Sequence, residues 1–223
     1  FSGIGEFSIH KEFVSSKVAG EVASLTNPAL DRIFDLCAET GLVAILHNDI
    51  DMPFSKPDIE PVYLTQAKDV LRRHPEATII WAHVGLGRVV YPDRTMASSG
   101  TAKRSPNFMR IIEAMLNDPT LKHLYFDISW DEVAKYATDT PESVQRTADV
   151  LNRFPDRFLF GTDNVAPKNP EAYFGVYDIY APLWKKLSAE TKEKVLKGNY
   201  ERLFDEARRK VRAWEKANVT GSR

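Results

Sequence analysis

The sequence predicts an α/β fold in which parallel strands wind as a barrel, and three observations predict it. Five short runs rich in β-branched and aromatic residues recur along the chain, almost continuously apolar, as strands covered on both faces are. Helical patterns separate them in strict alternation. The connections are lopsided, short from helix to strand and long from strand to helix, which is how a barrel crowds its functional loops at the C-terminal ends of its strands.

The strand runs are residues 4–9, 42–46, 78–82, 124–128 and 157–160. Asn27-Pro28 announces the first helix ahead of Leu30, Ile33, Phe34 and Cys37, and Gly41 ends it. Pro61 opens the second, with Leu64, Ala67, Val70 and Leu71 on one face and Pro75 past its end. Ser105-Pro106 opens the third, with Phe108, Ile111, Ile112 and Met115 before Pro119. Thr140-Pro141 opens the fourth, with Val144, Ala148 and Leu151 before Pro155. The long connections are 48–60, 84–104, 129–139 and 164–169, and after Trp130 the acids Asp131 and Glu132 open a short helical turn. Residues 171–187 are aromatic-rich; Ser188 starts a helix to Lys197, and Gly198-Asn199 restarts a charged one ending near Ala217. The chain therefore reads as one incomplete barrel domain over 1–223, with βα units over 1–187, C-terminal helices over 188–217 and a frayed tail at 218–223.

Composition narrows the function. Thirty basic residues against 31 acidic ones give a net charge of −1, with no basic run, which argues against a nucleic-acid partner. No apolar run approaches the roughly 20 residues that span a bilayer, so a soluble chain without a membrane partner is expected. Cys37 lies in a helical pattern among Ile33, Phe34, Leu36 and Ala38, as a buried unpaired thiol does. The start, Phe1-Ser2-Gly3-Ile4-Gly5, has neither initiator Met nor signal-peptide shape and reads as cut from something longer. The compartment stays open, with the cytoplasm favoured over secretion or the periplasm.

Polar residues able to bind metal or move a proton end the strands: Glu6, His47, His83 and Asp163, with Asp127 and Ser129 at the fourth. Each lies about one βα unit from the next. A barrel converges its C-terminal strand ends on one mouth, so two imidazoles and two or three carboxylates would meet there at ligand distance. His74 and His123 sit at a helix end and before a strand, as structural residues do, and His10 beside Lys11 and Glu12 reads as a solvated loop. Arg88, Arg94, Lys103 and Arg104 follow His83 and suggest a carboxylate-bearing small molecule, or else a solvated surface. Phe54, Tyr91 and Trp130 follow strand ends and could wall an apolar pocket, Trp130 and the arginines Arg88 and Arg94 being the substrate-binding candidates.

Gly3-Ile4-Gly5-Glu6, Ile45-Leu46-His47, Trp81-Ala82-His83-Val84-Gly85, Phe160-Gly161-Thr162-Asp163 and Gly198-Asn199-Tyr200-Glu201-Arg202-Leu203-Phe204 together resemble the amidohydrolase superfamily, in its amidohydrolase-related branch of metal-dependent hydrolases and decarboxylases. The resemblance runs in order along nearly the whole chain. It implies a (β/α)8 TIM barrel of which these are strands four to eight, with His47 a metal ligand, His83 the imidazole of the sixth strand and Asp163 ligand and proton shuttle of the eighth. Glu6 falls where some members place a bridging carboxylate. The family's His-x-His pair is lacking, since no two histidines here stand two apart. Three upstream strands would then be supplied by a missing N-terminal segment or by another copy in a homo-oligomer, because five strands alone leave two edges open.

The expected cofactor is a divalent metal, zinc first, which lowers the pKa of water from about 15.7 toward about 7. Asp163 and His83 are the expected catalytic residues, and the metal set is Glu6, His47, His83 and Asp163. The leading function is hydrolysis of an amide, ester or lactone bond in a small molecule. A decarboxylase of the same superfamily and a non-catalytic barrel-derived binding protein are the alternatives. A dinucleotide enzyme is disfavoured, because no glycine-rich turn of that pattern occurs.

Overall fold

Five strands, β1 (Gly3–His10), β2 (Val43–Asn48), β3 (Thr78–Trp81), β4 (Leu124–Asp127) and β5 (Phe158–Leu159), pair in parallel in chain order. This winding, with no reversal of strand order, is of the TIM-barrel type; a doubly wound sheet would turn back on itself. The structure is a computed structural model that describes residues 1–11, 23–50, 60–87 and 108–219. Among these the helices are α1 (Pro28–Thr40), α2 (Val62–Arg73), α3 (Phe108–Asn117), α4 (Asp131–Thr138), α5 (Pro141–Arg153), α6 (Pro170–Ile179), α7 (Ala181–Trp184), α8 (Ala189–Glu193) and α9 (Asn199–Asn218). No helix among the described residues is long and apolar enough to cross a membrane.

The helices begin where side chains cap them. Asn27 accepts the Ala29 N–H, Thr140 that of Ser143, Asn169 that of Ala172 and Ser188 that of Thr191, three of the four with proline at the first helical turn. Gly41 ends α1 in the left-handed region at φ 83, and its N–H returns to the Cys37 carbonyl at 2.8 Å. A Cβ there would also lie 2.3 Å from Lys210 Cβ, so glycine is required twice over. Leu30, Phe34 and Cys37 of α1 are buried, a leucine or phenylalanine so placed stabilising the fold by roughly 1.5–3 kcal/mol. Burial also pushes the Cys37 thiol up to about 11, so this free cysteine stays an inert part of the core.

Strand side chains alternate between two faces. Ala44, Leu46, Ile79, Trp81, Leu124, Phe126 and Phe158 pack under the helices, whereas Val43, Ile45, Ile80, Tyr125 and Leu159 face the other way and meet Leu203, Phe204 and Ala207 of α9. Counting on by two from Ile45 reaches His47, and from Tyr125 reaches Asp127 and then Ser129. A cavity of about 220 Å³ opens on this face, lined by Ile45, Ile80 and Phe204 and by Asp127, Ser129 and Asp163. The aromatic segment closes over the far end of β5: Tyr177, Tyr180 and Trp184 surround Phe160, with ring centroids within 5.9 Å of it.

Several expectations are corrected. Asp131 and Glu132 do open a helical turn after Trp130, as expected, but it extends to α4, two turns long within the connection 129–139, because Val133, Ala134 and Ala137 bury one face of it. Gly198-Asn199 does not interrupt the C-terminal helix: Gly198 is helical at φ −59, and the chain passes from α8 through a π-helical turn (Lys194–Gly198) into α9. Tertiary contacts override the glycine signal there, since Asn199 donates to the Pro155 and Phe158 carbonyls at 2.7 and 2.8 Å. His10 closes β1 rather than lying in a loop, and its ring stacks on Tyr63 at 4.1 Å. His74 and His123 are structural as expected, bonded to Asp31 at 2.7 Å and to the Leu71 carbonyl at 2.9 Å. Arg88, Arg94, Phe54, Tyr91, Lys103, Arg104 and the Ser105-Pro106 start signal lie outside the described residues.

Candidate metal centre

Apart from His47, each candidate side chain is aimed by a local departure from regular strand. In β1 the register passes from Ile4 opposite Ala44 to Phe7 opposite Leu46, so β1 uses three steps where β2 uses two. This bulge falls at Gly5-Glu6, and such irregularities re-aim side chains beside active sites. His47 is the penultimate residue of β2. His83 follows β3 within a 3₁₀ turn (Ala82–Gly85) in which His83 and Val84 take φ of 54° and 50°. Trp130 and Asp163, after β4 and β5, are left-handed as well, at φ 85° and 46°. Non-glycine residues held there cost of order 1–3 kcal/mol each, and they cluster at functional sites.

These departures bring the first three strand ends together. His47 Nδ1 lies 2.5 Å from Glu6 Oε1, and His47 Nε2 lies 3.1 Å from Asp49 Oδ1. His83 Nε2 points between Glu6 Oε2 at 3.8 Å and Asp163 Oδ2 at 3.7 Å. The two imidazoles meet edge to face at 4.8 Å, both buried, and Trp130 covers His83 with ring centroids 5.4 Å apart. One ligand atom from each of Glu6, His47 and His83 falls within 4.8 Å of the others. Asp163 stands beside His83, outside that triangle, and is the more open carboxylate, its side chain 37% exposed against 31% for Glu6.

Electrostatics follow from this crowding. The hydrogen bond from His47, against the opposing effect of burial, holds the Glu6 carboxyl down to about 2. Burial disfavours a charged His47 ring, but hydrogen bonds to Asp49 and Glu6 outweigh it and raise the ring's pKa. Asp127 is raised by burial despite the nearby His83 and its bonds from Ser129. The donor set fits a divalent cation, because one carboxylate oxygen and two imidazole nitrogens, from Glu6, His47 and His83, lie within 4.8 Å of one another. An imidazole and carboxylate set of this kind suits several first-row divalent ions.

Ser129 ties the fourth strand end to this group. Its N–H donates to Asp127 Oδ1 at 2.8 Å, its hydroxyl donates to Asp127 Oδ2, and His83 Nδ1 lies 3.0 Å from the Ser129 hydroxyl oxygen. Tyr180 secures the segment by donating its hydroxyl to the Ile128 carbonyl at 2.6 Å. The structure thus gathers Glu6, His47, His83, Asp163 and Trp130, while Arg88 and Arg94 lie outside the described residues. Sequence reading missed Asp49, the second partner of His47. Its signal was the two-residue spacing His47-Asn48-Asp49, which puts both side chains on one face of an extended chain.

A family model described as amidohydrolase matches residues 9–205. An uncharacterized TIM-barrel protein from Bordetella bronchiseptica is 22% identical, with a TM-score of 0.51 over 82% of this chain and 52% of its own. A dihydroorotase from Campylobacter jejuni is 14% identical, with a TM-score of 0.54 over 89% of this chain and 57% of its own. The chain therefore spans little more than half the length of these solved structures, whose likeness is one of fold. No curated protein matches the chain.

Proposed function

The chain belongs to the amidohydrolase family, and on that premise we propose that it forms the metal site of a hydrolase acting on an amide, ester or lactone bond of a small molecule. In this reading β1–β5 are strands four to eight of an eight-stranded barrel. Glu6, His47 and His83 hold a divalent ion, zinc first among them. When bound, such an ion is a Lewis acid that acidifies water and polarises a carbonyl.

The remaining work falls to the chain's own residues. Asp163 Oδ2 takes the proton of the attacking water and returns it to the leaving nitrogen or oxygen. Water and substrate thereby become an acid and an amine or alcohol, with Asp163 regenerated. Asp49 keeps the His47 ring oriented through Nε2. Trp130, beside His83, walls one side of the substrate pocket and excludes water from it. The observation that carries this reading is the convergence of Glu6, His47 and His83 within 4.8 Å, with Asp163 Oδ2 3.7 Å from His83.

The test is turnover of a panel of amides, esters and lactones by zinc-loaded protein. Asp163→Asn is expected to lower kcat by about 10²–10⁴-fold while zinc content is kept. Equal hydrolysis by the variant, or release of carbon dioxide from carboxylic acids with no hydrolysis at all, contradicts the proposal.

A further inference from the structure

Ser129 is buried just past the end of β4, 5% exposed, and its hydroxyl sits between Asp127, which the proposed reaction does not use, and His83, the proposed ligand. A serine hydroxyl has one proton to give and lone pairs to receive. Here the proton goes to Asp127 Oδ2, and the backbone N–H of Ser129 fixes the other oxygen of the same carboxylate at 2.8 Å. The remaining contact, His83 Nδ1 at 3.0 Å, must then be one in which the ring donates.

We propose that Ser129 is a positioning residue that relays the Asp127 carboxylate to His83, fixing the ring with its proton on Nδ1 and its lone pair on Nε2, toward Glu6 and Asp163. This rests on the reading of His83 as a ligand, and it goes further by assigning the polar residues of β4 to the orientation of an imidazole on β3. Asp49 does the same for His47 in one step, whereas His83 is served in two, because Asp127 Oδ2 stands 3.8 Å from its Nδ1 and the serine fills the gap. Outer partners of this kind typically change metal affinity by about 10–100-fold when removed.

The test is long-range ¹H–¹⁵N correlation of the imidazoles in metal-free protein at roughly pH 8, where histidine rings are neutral unless strongly paired, joined to titration with zinc. His83 is expected to show a protonated Nδ1 and a bare Nε2. Ser129→Ala is expected to mix the two tautomers and weaken zinc binding by about tenfold or more, and Ser129→Thr, which keeps the hydroxyl, to restore both. A wild-type His83 protonated on Nε2 overturns the proposal, even if the variants fail to fold. So does a folded Ser129→Ala with unchanged tautomer and affinity. Because the spectrum is recorded without metal, a wild-type protein that shows the expected tautomer but binds no zinc contradicts the hydrolase reading and leaves the relay standing.

Discussion

At the N-terminal ends of β4 and β5, Arg157 gives Nε to the Leu124 carbonyl at 2.6 Å and Nη2 to the Leu121 carbonyl at 2.7 Å, and Asn199 gives its amide to the Pro155 and Phe158 carbonyls. At the opposite ends of the sheet, Glu6 Oε2 and Asp163 Oδ2 both approach His83 Nε2 within 3.8 Å. Donors meet acceptors at one end, and acceptors crowd together at the other. The first arrangement is complete as it stands and ties the C-terminal helix to the sheet. In the proposed reading the second is completed by a cation, so polarity alone does not mark a functional end; the mismatch between neighbours does.

Exchanging the roles of the two ends should therefore fail in opposite ways. His47→Ala removes a ligand from the acceptor-rich end, and zinc affinity should fall by about a hundredfold or more, roughly 2.7 kcal/mol, in calorimetric titration. Asn199→Ala should do the reverse. It leaves a buried and a half-buried carbonyl without their donor, costing about 1–3 kcal/mol in urea unfolding, while the zinc affinity of the folded fraction is unchanged. A loss of zinc binding in Asn199→Ala that matches His47→Ala would dissolve the distinction between the ends.

The smallest effect is a pH window. Glu6, held at about 2 against an ordinary 4.5, stabilises the fold above pH 4.5 and loses that contribution as pH falls toward 2. His47, held above its ordinary 6.5, contributes fully below pH 6.5 and loses it as pH rises through its folded value. The two shifts share the Glu6–His47 contact, to which Asp49 adds at His47. Glu6→Gln should therefore lower the melting temperature of metal-free protein most between pH 4.5 and 6.5. The loss should be about 1 kcal/mol, or roughly 2–4 °C, because the pair is partly exposed. A difference between the two proteins that is flat from pH 3 to 9 would show that the contact contributes nothing.

Much of this was legible in the sequence. Unbroken apolar runs such as Leu42 to Leu46 mark strands wherever both faces are covered, and the caps Asn27, Thr140 and Ser188 mark helix starts by chemistry that tertiary structure did not override. Glu6, His47 and His83 could be paired with one another because a barrel sends its strand ends to one rim. What stayed hidden depends on backbone departures that leave little compositional trace. The left-handed φ of Val84 and Trp130 occurs at residues that ordinarily avoid it, whereas the bulge that turns Glu6 toward His47 falls beside Gly5, a residue that readily takes positive φ. The relay through Ser129 needs the distance between β3 and β4, which spacing along the chain does not supply. Gly198 misled because glycine permits a helix stop without enforcing one, and the bonds of Asn199 hold the helix through it.

The central claim is that the acceptor-rich end of the sheet binds a cation, and anomalous diffraction at the zinc edge from crystals grown with zinc tests it most directly. The account predicts a strong peak among Glu6, His47 and His83, lost in His47→Ala. Ordered crystals with no peak there, or with zinc only at surface carboxylates, would contradict it.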